Sequence, residues 1–368
     1  MKKRLKHILP LALAVFVLCI GQTGCGSMHS EATEPFAGET EQESHMQENS
    51  GDRSEPAEDT PDSAGEREAV TVRVGSLKGP TSLGILSLME KSGANQTFDT
   101  YQFCMATGAD ELLPLMVKGE LDIALLPANV ASVLYARTNG EVVVIDINTL
   151  GVLYLVTASE SVRSIADLKG RTICLTGRGT TPEAAIRFLC RANGLAEEDY
   201  ELEFKSEATE VAVALANDPE VIGLLPQPFV TAAMMQNASL QIAVDLNEAW
   251  RAATASESGM VTGVTVVRRQ FFQDHPEAVA AFVKEHAQSV EAVNTDVEAA
   301  AKLAAEAGIV AKEQIAQKAI PACNLVCVTG EEMKSALSAY LEVLESFEKA
   351  LVGGQVPGDD FYGFADEE

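Results

Sequence analysis

The sequence predicts an α/β protein made of two doubly wound lobes of similar design. Segments of strand length, rich in β-branched residues, alternate with segments whose apolar residues recur at helical spacing, which is the pattern of a largely parallel sheet with helices on its faces. A second observation is a repeated phrase of buried strand, Pro, polar residue and helix, found at LDIALLPANVASVLYA (Leu121 to Ala136) and again at VIGLLPQPFVTAAMMQN (Val221 to Asn237). The third is that strand–turn–helix units open near Val70, Leu121 and Arg171. Each leaves first-turn N–H groups without internal partners beside a strand end, a place suited to anions or carbonyls.

Taken in order, Val70, Val72 and Val74 alternate as a strand, Gly79-Pro80 breaks it, and a helix is expected from Thr81 or Ser82 to Glu90. Phe98 to Met105 reads as the second strand. Ala109 to Lys118 reads as a helix closed by Gly119, with Pro114 required near its first turn. The near-continuous apolar run LDIALLP reads as a buried parallel strand and EVVVIDI as another buried strand, separated by a helix from Ala128 to Arg137. From Leu150 the pattern changes. GVLYLVTASESV leads out of the first unit, and new βα elements follow: TICLTG, a helix from Thr181 to Asn193, LEFKSE, a helix from Glu210 to Ala216, and the second copy of the phrase.

After QIAVDL, a polar segment from Asn247 to Ser258 holds the sole tryptophan, Trp250, and GMVTGVTVV returns to the first lobe. The remainder is helical. Pro276 to Val293 carries an apolar stripe with His286 beside it, read as a packed or half-exposed histidine rather than a ligand. Val297 to Ala307 follows, and a final helix sets Met333, Leu337, Tyr340, Leu344, Phe347 and Leu351 in one seam, expected to pack across the first lobe. Residues 353–368 are Gly, Pro and Asp rich and are expected to fray.

The 368 residues carry a formal charge of −27, which disfavours nucleic acid and anionic membrane surfaces as partners. Lys2, Lys3, Arg4 and Lys6 precede an apolar run from Ile8 to Ile20, too short to span a bilayer and of the right size for an export signal. Thr23-Gly24-Cys25 resembles the cleavage point of a bacterial lipoprotein signal peptide, with Gln22 where that family usually has Leu. Residues 1–25 then form the lipoprotein signal peptide, and acyl chains at Cys25 anchor the protein to the outer face of the cell membrane; the plainer reading is an ordinary signal peptide with an incidental Cys. Residues 26–69 are acidic and nearly free of large aliphatic side chains, so they read as a disordered linker. Of the seven cysteines, Cys104, Cys174 and Cys190 sit in apolar strands or helices as small hydrophobes. Cys323 and Cys327 are close enough to bridge or to share a metal, yet no His or further Cys flanks them in sequence. The reading is therefore no disulfide framework, no metal, no cofactor and, without HExxH or a nucleophile–base arrangement, no catalytic residue.

The ordered set KGPTSLGILSLME, GELDIALLPANVASVLYAR, SIADLKGRTICLTGRGTTPEAAIRFLCRANGL, LLPQPFVTAAM and HPEAVAAFVKEHAQSVEAVN resembles the ABC-transporter solute-binding proteins of the nitrate/sulfonate/taurine type, over roughly Val72 to Gly330. That class is similar in fold to the thiamine-precursor binding proteins. The resemblance implies a bilobal type II periplasmic-binding fold with a two-strand hinge near Tyr154 to Ser159 and Ser258 to Gly263. Residues 70–155 and 262–352 would form the first lobe and 156–261 the second. It further implies a monomer that captures a small anionic solute of the sulfonate, taurine or nitrate class and hands it to an ABC permease and its ATPase. Alternatives are a binding module feeding a sensor, a pyrimidine-precursor-binding protein, and an enzyme on the same fold such as the pyrimidine-precursor synthases, against which the export signal and the missing reactive cluster speak.

Carried over by position, the resemblance implies Gly79, Pro80, Thr81 and Ser82 at one helix start, Pro127, Ala128 and Asn129 at another, and Thr149, Leu150 and Gly151 on the strand leaving for the hinge. The second lobe would give Arg178, Gly179, Thr180 and Thr181 from a glycine-rich turn, Ser206 and Glu207 from the next loop, and Gln227 from LPQP. Rival roles exist: Thr81 and Ser82 as helix caps, Asn129 as a turn residue, Arg178 and Lys78 as solvated charges, and Glu207 facing water.

Overall fold

The computed structural model describes residues 68–254 and 259–363. The leader, Cys25 and nearly all of the acidic linker lie outside the described residues. Strands β1 (Thr71–Leu77), β2 (Thr100–Ala106), β3 (Ile123–Pro127) and β4 (Val142–Leu150) come first, and helices α1 (Pro80–Leu83), α2 (Leu86–Gly93), α3 (Ala109–Lys118) and α4 (Ala128–Arg137) lie between them. The middle of the chain supplies β5 (Leu153–Thr157), β6 (Thr172–Leu175), α5 (Thr181–Ala192), β7 (Glu201–Phe204), α6 (Ala208–Asn217), β8 (Ile222–Pro226), α7 (Phe229–Gln236), β9 (Gln241–Asp245) and α8 (Leu246–Thr254). Then follow β10 (Val261–Arg268), α9 (Arg269–Asp274), α10 (Pro276–Thr295), α11 (Val297–Glu306), α12 (Glu313–Ala319), β11 (Leu325–Val328) and α13 (Gly330–Phe347).

Two sheets result, ordered β2-β1-β3-β10-β4-β11 and β7-β6-β8-β5-β9. Each has a parallel trio with its earliest strand in the centre, followed by an antiparallel neighbour: β10 runs against β3 in the first, β5 against β8 in the second. The repeated phrase of the sequence is thus a repeated topology. The buried strands read as unbroken apolar runs because both faces are covered. On β3, Ile123 and Leu125 meet Phe282 of α10 on one side, while Ala124 and Leu126 join Leu337 and Tyr340 of α13 on the other.

Several expectations need correction. The chain changes sheets between Leu150 and Leu153, ahead of Tyr154 to Ser159; Tyr154 to Thr157 are already paired with β8 and β9. The first helix is not continuous: one turn ends at Leu83 and α2 starts at Leu86, where α10 lies so close that a Cβ on Gly84 would be 3.2 Å from Val290. Pro114 sits inside α3, on its exposed face, and not in the first turn. The polar segment around Trp250 is helix α8 through Thr254, whose buried Trp250 packs at a tilt against Phe188 and Tyr340. Cys104 is exposed rather than a core hydrophobe, and Cys323 and Cys327 are both free thiols. The stretch after Gly353 does not fray through Gly363: Phe361 is wholly buried, Tyr362 bridges Val144, and Gly363 N–H donates to Val144 O at 2.8 Å. Aromatic side chains seated on β4 and α4 hold down a segment whose Gly and Pro content favours disorder.

Candidate binding cleft

Between the two sheets lies a cavity of about 830 Å³, walled on one side by the starts of α1, α3 and α4 and on the other by the starts of α5 and α6. β-strands end there because the helices that follow them must turn back over the sheet, which brings their first turns to one rim. Gly79, Pro80 and Thr81 line it from α1, Pro127 from α4, Arg178, Gly179, Thr180 and Thr181 from the glycine turn, and Ser206 and Glu207 from the loop before α6. The other expected residues are placed elsewhere. Ser82 is turned back, its Oγ 2.6 Å from Leu77 O and 2.7 Å from Ser76 Oγ. Gln227 accepts from Thr231 N–H and Oγ–H, capping α7. Thr149 and Leu150 end β4 and Gly151 follows it, outside the cavity lining, and Asn324 Nδ2 donates to Gly151 O at 2.5 Å. Ala128 is buried in the core beneath the α4 start.

Asn129 spans the gap rather than facing it. Its Nδ2 donates to Gly179 O at 2.9 Å, and Thr181 Oγ1 lies 3.4 Å from its Oδ1, with both side chains buried. The glycine turn has a local cause. Gly177 has φ 77° and a Cβ there would lie 2.3 Å from Thr180 Oγ1, which instead donates to Gly177 O at 2.7 Å. Gly179 N–H donates to Glu183 at 2.6 Å, so this turn is already partly satisfied by its own helix.

The helix at Ala109 is legible in the sequence, but its start was not counted among the cleft residues, nor was one hydroxyl. Thr107 to Glu111 line the cavity, with Glu111 accepting from Thr107 N–H and Oγ–H and from Gly108 N–H; these bonds, Thr107 hydroxyl foremost, hold the carboxyl below its ordinary range. A Thr-Gly-x-x-Glu capping phrase was the available signal. Thr262 also lines the cavity, and its buried Oγ1 has no hydrogen-bond partner among the described residues. Lys78, Arg137 and Arg178 bring cations to the rim, the last with its guanidinium 3.9 Å over the Phe204 ring. Leu113, Val130, Val133 and Phe229 supply an apolar wall. Fixed donors, rim cations that make no ion pair among the described residues, and apolar surface in one cleft suit an anion that carries a hydrocarbon part.

A family model described as menaquinone biosynthesis matches residues 103–346. The chain belongs to that menaquinone-biosynthesis family. A search of curated proteins finds no match. Solved structures resemble the chain in fold. An ABC transporter protein from Parabacteroides distasonis is 23% identical with a TM-score of 0.66, over 80% of this chain and 98% of its own. The periplasmic aliphatic sulphonate binding protein SsuA from Escherichia coli is 13% identical with a TM-score of 0.63, over 79% and 90%. The periplasmic nitrate-binding protein NrtA from Synechocystis PCC 6803 is 13% identical with a TM-score of 0.58, over 77% and 85%. The bilobal periplasmic-binding fold implied by the sequence resemblance is therefore the fold of this family member.

Proposed function

We propose that this menaquinone-biosynthesis family member is an exported binding protein that encloses a small organic anion between its lobes and presents it to an ABC permease and its ATPase. The observation that carries this reading is the interlobe cavity walled by five helix starts, with a Thr262 hydroxyl unpartnered among the described residues and cations at the rim. The named binding roles of the sulphonate and nitrate neighbours support it. A cavity of about 830 Å³ is the size that holds a multi-carbon ligand, so nitrate alone would leave most of it wet. Anchoring at Cys25, the acidic linker as tether, a monomeric state and capture without turnover complete the proposal.

The family description favours one rival, an enzyme acting on a biosynthetic intermediate in the same cleft. A thermal-shift screen of the protein against alkanesulfonates, taurine, organic carboxylates, aliphatic amides, pyrimidines and nitrate separates the two. Binding expects one organic anion to raise the melting temperature saturably and to be recovered unchanged; at a hundredfold excess over Kd the stabilisation is about 2.7 kcal/mol. Recovery of a chemically altered compound, or no saturable shift by any anion, overturns it.

A further inference from the structure

We infer that Asp146, His286 and Cys327 form a buried site for a divalent transition-metal ion of zinc's class, apart from the cleft. These residues come from β4, α10 and β11, far apart in sequence, and one ligand atom of each lies within 4.8 Å of the others. Asp146 and His286 are wholly buried, with Nδ1 3.0 Å from Asp146 Oδ2. Among the described residues the second ring nitrogen, Nε2, is buried with no partner, which an ordinary packed histidine avoids. Carboxylate oxygen, imidazole nitrogen and thiolate sulfur are together a donor set for zinc-like ions.

The surroundings fit a held ion. Thr265 Oγ1 donates to Asp146 Oδ1 at 2.7 Å and receives Asn148 Nδ2 at 3.2 Å, so the carboxylate is oriented from behind as ligating carboxylates are. When the ion binds, the Cys327 S–H bond breaks, sulfur gives its electron pair to the metal, and the proton leaves to solvent. Metal–ligand bonds of about 2.0–2.3 Å require the three atoms to draw in slightly. Cys327 can do so, because β11 is a four-residue edge strand whose register against β4 shifts between Leu325 and Val328.

The test titrates chelator-treated full-length protein with Zn²⁺ and Co²⁺. The expected result is one tight equivalent, proton release on binding, and a thiolate-to-cobalt charge-transfer band that persists in a Cys25→Ser, Cys104→Ser chain. Cys327→Ser should lose the band and weaken binding at least tenfold while keeping its circular dichroism spectrum. Asp146→Asn gives the same affinity comparison should that variant fail to fold. No tight equivalent, a cobalt spectrum without a sulfur band, or unchanged affinity in whichever variant folds overturns the site.

Discussion

At the scale of single residues, Asp122 shows how the fold handles a charge it has taken out of water. Its side chain is 2% exposed, and it accepts from Arg73 Nε at 2.7 Å, Arg73 Nη2 at 2.6 Å and Arg268 Nη2 at 2.8 Å. Burial alone would raise its carboxyl; the hydrogen bonds of Arg73 and Arg268 outweigh burial and leave it below its ordinary range. A depressed acid stabilises the fold above the unfolded value of about 3.9, and that stability is lost as pH falls through the lower folded value. Asp122→Asn should therefore destabilise by about 3 kcal/mol at neutral pH, toward the low end for a broken buried pair because Arg73 remains partly solvated. In urea melts, its deficit should shrink steadily below about pH 4; a deficit independent of pH would show that the charge is not what matters.

At the scale of elements, the segment after α13 is the one whose behaviour composition misjudges. Phe361 fills a slot beside Tyr135 with ring centroids 5.0 Å apart, and the Ser132 hydroxyl donates to Val352 O at 2.7 Å. Phe361→Ala should cost about 3–5 kcal/mol, as for other buried aromatics, whereas a fraying tail would show no change in denaturant midpoint. Long apolar seams and buried strands were legible because period and length encode them. The interruption of the first helix at Gly84 was not, since it depends on how closely α10 approaches.

For the whole molecule, the contact between Asn129 and the glycine turn joins the two lobes directly. A bond made across the cleft favours the closed arrangement, so its loss shifts the population toward the open one. Asn129→Ala should weaken binding of whichever organic anion raises the melting temperature by about fivefold to tenfold, equivalent to one net hydrogen bond, with little change in the unliganded melting temperature. Equal affinity in wild type and variant would show that the bond is not part of closure. Fluorescence of Trp250, packed between Phe188 of α5 and Tyr340 of α13, should change with the same movement.

Local periodicity by itself determined the α/β class, the repeated strand–Pro–helix phrase and the helix starts around the cleft. Those features follow from neighbours a few residues apart. Which polar groups face the cavity and which are spent internally was decided only by tertiary structure. Ser82, Gln227 and Asn129 have the composition of ligand contacts, yet each finds a protein partner supplied by the folded surroundings. His286 and Cys327 lack ligating neighbours in sequence, and it is the packing of α10 and β11 against β4 that brings them to Asp146. Long-range register sets such meetings, and no window of sequence contains it.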